Sequence, residues 1–429
     1  MLKRFGAVGA VAAVVAAVVA LTLGSTASAT SAKTSPLCKK AGLAFAGPLS
    51  GPASFLGTDQ LHWMQLFISA WNGGKPIPGV PKGFKRTKLY DALNGDSMLQ
   101  AGPAATVARS IVANKSILAL DGFAGSNENL GGGPVLDAAK IAYVSGSATA
   151  DNLTAALKGF YRVVPNNSEQ AAGGVGYIIK KLGLKSGDQV MIVDDGEAYG
   201  IGIADAAGSL FAARGIKIDR EQVAESTSAS TADFHTVAQK AVTIGAKLVY
   251  APTQTATDSQ TFVQLLHTDG FKGAFMATDG SVSPSQFNYP NDTYVSFFGP
   301  NVTDINKVYR LAFLKKYGAT AAADPFGATA FVAGEMLGMA ISQTCTAGKG
   351  TTSRAAVLKE IGKIKLATTI LGYSMSFTNP ADHHHGPVAG VTVFKVGPVY
   401  QQVFAAGGGS SLAGTTRNLR PALGGPQVP

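Results

Sequence analysis

The strongest constraint on how this chain folds is a recurrence. Short apolar runs, about four to six residues each, lead into turn-rich loops and then into amphipathic helical stretches. Residues 42–47 (GLAFAG) open the series, and the loop GPLSGPASFLG carries the chain into a helix expected over 58–71. Further strands are expected at 87–91, 117–120, 142–145, 189–194, 247–251 and 274–277. Between them, helices are expected at 99–113, 168–182, 202–213, 231–244 and 259–269. Strands that stay apolar without polar alternation are buried on both faces, which requires a parallel sheet with helices on either side. In such a sheet ligands bind beyond the carboxyl ends of the strands, where the loops DGFAGS, VSGSAT, VDDGEAYG, APTQTAT and ATDGS fall. Later segments change character: helices at 326–342 and 354–364, then extended pieces at 373–377 and 388–396 around a loop with His383, His384 and His385.

The first 29 residues stand apart. Lys3 and Arg4 precede an Ala/Val run from Gly6 to Leu23, and Ala27-Ser28-Ala29 follows as a small-residue cleavage pattern. This is the pattern of a secretory signal peptide; the alternative is an uncleaved anchor. Cys38 follows Leu37 rather than a small residue, so no lipobox is recognised. The remainder carries 34 Lys+Arg against 26 Asp+Glu, a net charge of +8. The basic stretch 82–88 (KGFKRTK) reads as a solvated loop, and without interleaved aromatics no nucleic-acid partner is expected. Two cysteines in an exported chain can pair, so Cys38 and Cys345 are either bridged or two free thiols.

Catalytic patterns are missing. There is no G-x-S-x-G, H-E-x-x-H or C-x-x-C, and the G-x-G at Gly200 and Gly202 runs into Asp205 where a third glycine belongs. Adjacent histidines diverge in an extended loop, so His383 to His385 read as solvated rather than as a metal site. Asp194 and Asp195 are either an acid/base pair or a polar loop at a strand end. What remains is a crevice of hydroxyls, small residues, aromatics and a few acids, suited to holding a polar small molecule unchanged. No enzyme activity, cofactor or metal is expected.

The order and spacing of GPLSGPASFLG, YDALNGD, DGFAGS, IAYVSGSATADNLT, FYRVVPNNSEQAAG, VMIVDDGEAYGIG, ADFHTVAQKAVTIGAKLVY and FMATDG resemble one family. It is the type I periplasmic solute-binding proteins of the branched-chain amino acid (Leu/Ile/Val) ABC-transporter class, over about residues 42–396. The resemblance implies an α/β fold of two doubly wound, Rossmann-like lobes with parallel central sheets, joined by three chain crossings near 162, 298–301 and 372–376. Residues 37–162 with 301–372 then form one lobe, 163–300 with 373–405 the other, and 406–429 a flexible tail. It implies that Ser126 and Thr149 hold a ligand's carboxylate and ammonium, with Ser147 contributing its carbonyl. Asp279, where the family usually has Glu, pairs with the ammonium; its alternative role is a helix N-cap ahead of 281–285. Ring positions of the family hold Leu56 and Gln254 here, while Phe326 is retained; Leu56 and Phe326 could equally be core. Phe123 and Tyr199 align with other cleft positions, Tyr199 in a loop past a strand end.

The function implied is an exported, monomeric receptor that closes on an amino acid or similar small ligand and hands it to the membrane permease of an ABC importer. A sensory receptor for amides, aromatic acids or other small organic molecules is the alternative, and an exported α/β enzyme a third. The expected location is periplasmic or extracellular.

Overall fold

The computed structural model describes residues 35–224, 231–321, 324–377, 384, 390–406 and 417–419. A short helix α1 (Pro36–Lys39) leads into five strands: β1 (Lys40–Gly47), β2 (Lys88–Asp96), β3 (Ile117–Gly122), β4 (Ala142–Ser145) and β5 (Phe160–Arg162). They form one all-parallel sheet in the order β2-β1-β3-β4-β5. Helices α2 (Ser54–Asn72), α3 (Ala101–Ala113), α4 (Ser126–Ala138) and α5 (Leu153–Ala156) alternate with these strands. β1 is buried along all but its first residue because it lies inside the sheet with helices on both faces, which is why its sequence is a continuous apolar run.

The second sheet begins with β6 (Gln189–Asp194), β7 (Lys217–Gln222), β8 (Leu248–Ala251), β9 (Ala274–Ala277) and β10 (Thr293–Phe297), with helices α6 (Asn167–Leu182), α7 (Ala198–Ala212), α8 (Thr231–Thr243) and α9 (Ala256–Thr268) between. α6 is delimited by its own residues: Asn166 and Glu169 form a capping box, and Gly183 ends it at φ 61°. The chain then returns to the first lobe as α10 (Lys307–Ala321), α11 (Gly327–Ala347) and α12 (Arg354–Ile361), and as a small ribbon of β11 (Lys365–Leu366) and β12 (Met375–Ser376). It ends in the second sheet as β13 (Val391–Lys395), β14 (Tyr400–Ala406) and β15 (Arg417–Leu419). The order there is β15-β14-β13-β10-β9-β8-β6-β7, parallel from β7 to β10 and antiparallel from β13 outward. Of the tail expected over 406–429, Ala406 closes β14 and 417–419 pair with it; the other residues lie outside those described.

The chain therefore passes between the sheets three times: between β5 and α6, between β10 and α10, and between β12 and β13. At the third passage the His384 carbonyl accepts from Arg162 N–H at 3.1 Å, and the His384 ring stacks on Tyr161 at 4.3 Å. That ring is packed rather than fully solvated; His383 and His385 lie outside the described residues.

α11 is buried around nearly its whole circumference. Its close approach to α2 depends on small residues, since a Cβ at Gly334 would stand 2.8 Å from the Phe67 ring and one at Gly338 would stand 3.0 Å away. Cys38 lies in α1, before rather than in the first strand, and is bridged to Cys345 at the end of α11 with Cα atoms 5.5 Å apart. Elements with no counterpart in the sequence reading include α4, β7, β10 and α10, besides α1, α5, β5, β11, β14 and β15. α4 (SNENLGGGPVLDA) has a glycine triplet and an internal proline, β7 (KIDREQ) is a polar edge strand, and β10 and α10 follow turn-rich or basic stretches.

Candidate functional site

Strand order decides where a site can form. In the first sheet the chain leaves β1 toward β2 on one side and later toward β3 on the other, so the loops after β1 and β3 diverge and leave a crevice. The second sheet repeats this between β6 and β8. The two crevices face each other across one pocket, lined from the first lobe by Leu56, Leu99, Ala124, Gly125, Ser126 and Ser147. The second lobe contributes Tyr199, Gln254, Asp279 and Gly280. Six of the nine residues expected from sequence thus meet here, from segments up to 223 positions apart.

On the first-lobe side, Ser126 is the first residue of α4, and its Oγ accepts from Ala150 N–H at 3.2 Å. Ser147 Oγ donates to the Ala124 carbonyl at 2.7 Å and accepts from Gln60 Nε2 at 2.8 Å. The N-terminus of α4 therefore opens toward the pocket, carrying the partial positive charge of its unpaired N–H groups. Glu128 in its first turn closes onto Gly125 N–H and Ser97 Oγ, and burial pushes its carboxyl up to about 8. At neutral pH it is mostly protonated and does not cancel that positive end.

On the opposite side, Asp279 begins a 3-10 turn (Asp279–Ser281) but does not cap it with its side chain. Its Oδ1 accepts from Tyr199 OH at 2.5 Å and from Gln170 Nε2 at 2.6 Å, so the N-cap alternative is replaced by a hydrogen-bonded carboxylate in the pocket wall. Burial raises its pKa to about 6 against the lowering effect of those two bonds. Tyr199 also shares a hydrogen bond with Thr278 Oγ1 at 2.5 Å, and burial beside Asp279 raises its own pKa. Tyr199 is in the first turn of α7 rather than in a loop, because that helix starts at Ala198. Gln254 is held through its backbone N–H, which donates to Asp195 Oδ2 at 2.9 Å. Asp194 is tied to Arg220 at 2.6 Å and to Gln222 at 3.0 Å. The two acids thus have separate structural partners instead of forming an acid/base pair.

Three expected residues are not in the pocket lining. Phe123 is fully buried in the first lobe's core, where its ring would be 2.4 Å from a Cβ at Gly132 of α4. Phe326 packs on Phe55, Phe297 and Phe298, with ring centroids 5.8, 5.5 and 5.8 Å away, in an aromatic cluster beside the second crossing. Thr149 is buried with its carbonyl accepting from Asn167 N–H at 2.8 Å, while its hydroxyl has no partner among the described residues. Two residues escaped the sequence reading, Gln60 on α2 and Gln170 on α6. Both are fully buried, both hold a pocket side chain, and both keep an Oε1 without a donor among the described residues. A glutamine on a helix reads as a surface residue, and only the capping box just before Gln170 marked that turn as ordered.

The pocket has about 20 Å³ of free space, room for one water-sized molecule. Anything larger enters only after the lobes part or the Gln60, Gln170 and Tyr199 side chains turn away. When a zwitterion enters, the arrangement offers an anion-favouring helix end on one side and a buried carboxylate with unpaired amide oxygens on the other.

The sequence matches the profile described as "Periplasmic binding protein" over residues 41–401. Among curated proteins, an amino acid binding protein of Pseudomonas aeruginosa is 24% identical over 242 residues, which is 56% of this chain and 61% of that relative. The chain thus spans less than two thirds of that relative's length. Among solved structures, a leucine binding protein from Thermotoga maritima superposes with a TM-score of 0.70 at 17% identity, covering 85% of this chain and 98% of that one. A solute binding protein from R. palustris, in complex with 4-hydroxybenzoate, gives 0.67 at 18%, covering 87% and 98%.

Proposed function

The chain belongs to the periplasmic binding protein family, and from that premise we propose that it is the extracytoplasmic substrate-binding protein of an ABC importer, with an amino acid as its ligand. One observation carries the reading. A single pocket sets Asp279 of the second lobe against Ser126, Ser147 and the α4 N-terminus of the first. An isolated buried ammonium costs several kcal/mol or so, and a carboxylate facing it offsets that cost. Because both lobes line the pocket, ligand binding favours the closed form, and a permease that engages only that form reads occupancy. The assignment includes a signal peptide over residues 1–29, a monomeric receptor, and lobes of 37–162 with 301–376 and of 163–300 with 391–406 and 417–419; the expected boundary after 372 moves past 376 because β12 pairs with β11, and the tail expected over 406–429 loses Ala406 to β14 and 417–419 to β15. Ser126, Ser147, Thr149, Asp279, Tyr199, Gln254, Leu56, Phe123 and Phe326 remain the proposed ligand-responsive set. Phe123, Phe326 and Thr149 act there from behind the lining.

A thermal-unfolding screen against Leu, Ile, Val, Phe, their amides and aromatic acids tests this. A true ligand at a hundred times its Kd stabilises the protein by about 2.7 kcal/mol. If no member of a broad panel shifts unfolding, the reading fails. The Gln254 side of the pocket favours a second reading, a receptor for amides or aromatic acids. A ligand with a carboxylate but no amine meets like charge at Asp279 above about pH 6, so its affinity rises as pH falls, opposite to that of an amino acid.

A further inference from the structure

Away from the cleft, the charge of this chain is unevenly placed. Residues 60–90 contain Lys75, Lys82, Lys85, Arg86 and Lys88 and no Asp or Glu. Residues 305–323 contain Lys307, Arg310, Lys315 and Lys316 and again no acid. These nine cations compare with a net charge of +10 for the whole chain. The fold joins the two stretches, since Tyr309 OH of α10 donates to the Pro76 carbonyl at 2.6 Å. Two surface hollows of about 500 and 610 Å³ share Pro76 and Ile77 as walls. Leu66, Ala70, Val308 and Ala312 line the first with Lys75 at its edge; Val80 and Phe84 line the second with Lys82, Arg86 and Lys88 around it.

On α10, Lys307, Val308, Leu311 and Lys315 fall on one helical face, and all four are exposed. Val308 is 71% and Leu311 46% exposed, first and third among the exposed large apolar side chains of the described residues, with Met98 between them. None of the nine cations forms an ion pair with a described residue. Arg86 and Lys88 instead donate to backbone carbonyls of the α2 end and the turn after it.

We infer that this face of the first lobe, formed by α10 and the loop from Lys75 to Lys88, is a docking surface for an anionic lipid membrane. Lys75, Lys82, Lys85, Lys88, Lys307, Lys315 and Lys316 give this face charge of one sign, which suits a uniform field of lipid phosphates; Arg310 instead lines a separate hollow with Asp324, and Arg86 interacts with the buried Glu335. The exposed Val308 and Leu311 and the apolar hollows add the second requirement of stable surface attachment, apolar area that enters the headgroup region while lysine stems snorkel around it. Each cation near an anionic surface strengthens binding about fivefold. The surface lies away from the ligand pocket and the inference does not depend on the cleft's reading; it would keep the receptor near a membrane-bound partner.

The test uses the exported form of the protein with vesicles of pure phosphatidylcholine and vesicles containing phosphatidylglycerol, read by co-sedimentation. Binding to the anionic vesicles, suppressed by salt, is expected. K75E/K82E/K307E/K315E should weaken it by about two orders of magnitude or more, and V308S/L311S several-fold with the salt dependence kept. The control K180E/K181E/K185E/K217E, with the same charge change on the second lobe, should bind like the unmodified protein. The inference is overturned by equal binding to both vesicle types, by equal loss in the control, or by tight capture on polyglutamate without vesicle binding, which would identify an acidic protein partner. Should the first-lobe variants not fold, the lipid and salt dependence of the unmodified protein still decides.

Discussion

Replacing Asp279 by Asn should move stability and ligand binding in opposite directions. The carboxylate is 4% exposed in the pocket wall, and burial lifts its pKa from 3.8 to about 6. The folded state therefore holds this proton more tightly than the unfolded chain does. Its contribution is most favourable below pH 4, declines as pH rises from about 4 to 6, and is constant above that. The shift of roughly two pKa units corresponds to about 3 kcal/mol of stability lost at pH 8 relative to pH 3. Asn keeps a carbonyl oxygen for Tyr199 and Gln170 but has no charge to desolvate. D279N should thus be more stable than the unmodified protein at pH 8, by up to about 3 kcal/mol, with the difference closing toward pH 4. Its amino-acid affinity should fall by about 2–5 kcal/mol, or thirtyfold and more, because a buried ammonium then lacks its counter-charge. Urea unfolding from pH 4 to 8 without ligand gives the first quantity, and calorimetric titration with the best ligand of the panel the second. A variant that is destabilised at pH 8 and keeps the same pH dependence would refute the desolvation argument. Unchanged affinity would remove Asp279 from its proposed role.

Three further outcomes follow from particular contacts. Gln60→Ala removes the bond to Ser147 and leaves a buried hydroxyl short of a donor, so denaturant unfolding should show a loss of about 1–3 kcal/mol, and ligand titration a weaker affinity. Gly327→Ala would place a Cβ 1.9 Å from Trp63 Cδ1 and 2.6 Å from the Asp59 carbonyl; about 3 kcal/mol or more of destabilisation is expected by thermal unfolding, since part of the obstacle is backbone. Cys345→Ala opens the bridge that ties α1 to α11 and should cost about 2–5 kcal/mol, a cost that thermal unfolding of the unmodified protein in reductant reproduces.

The fold was readable wherever burial and periodicity agree. β1, β3, β4, β6, β8 and β9 are apolar runs because they are covered on both faces, and α6 carries its own start and stop residues. It was unreadable where tertiary contacts override local preference. α4 forms despite Pro134 and its three glycines, because Gly131, Gly132 and Gly133 must stay small against α3, Phe123 and Tyr143. β7 is polar because it is an edge strand, with little of it buried.

The candidate site divides in the same way. Residue types alone exclude the common nucleophile and metal patterns and mark hydroxyls and a carboxylate at strand ends, since those depend only on which side chains exist and which loops follow strands. They cannot say which of these side chains turn inward. Phe123 and Phe326 went to cores, while Gln60 and Gln170 hold Ser147 and Asp279 of the pocket from behind its lining. The direction of a side chain is set by the packing of both lobes at once, and contacts between positions as distant as 170 and 279 leave no trace in local sequence. The carboxylate at Asp279 is legible in the chain; its burial, its partners and its raised proton affinity come from the way two sheets present their switch points to each other.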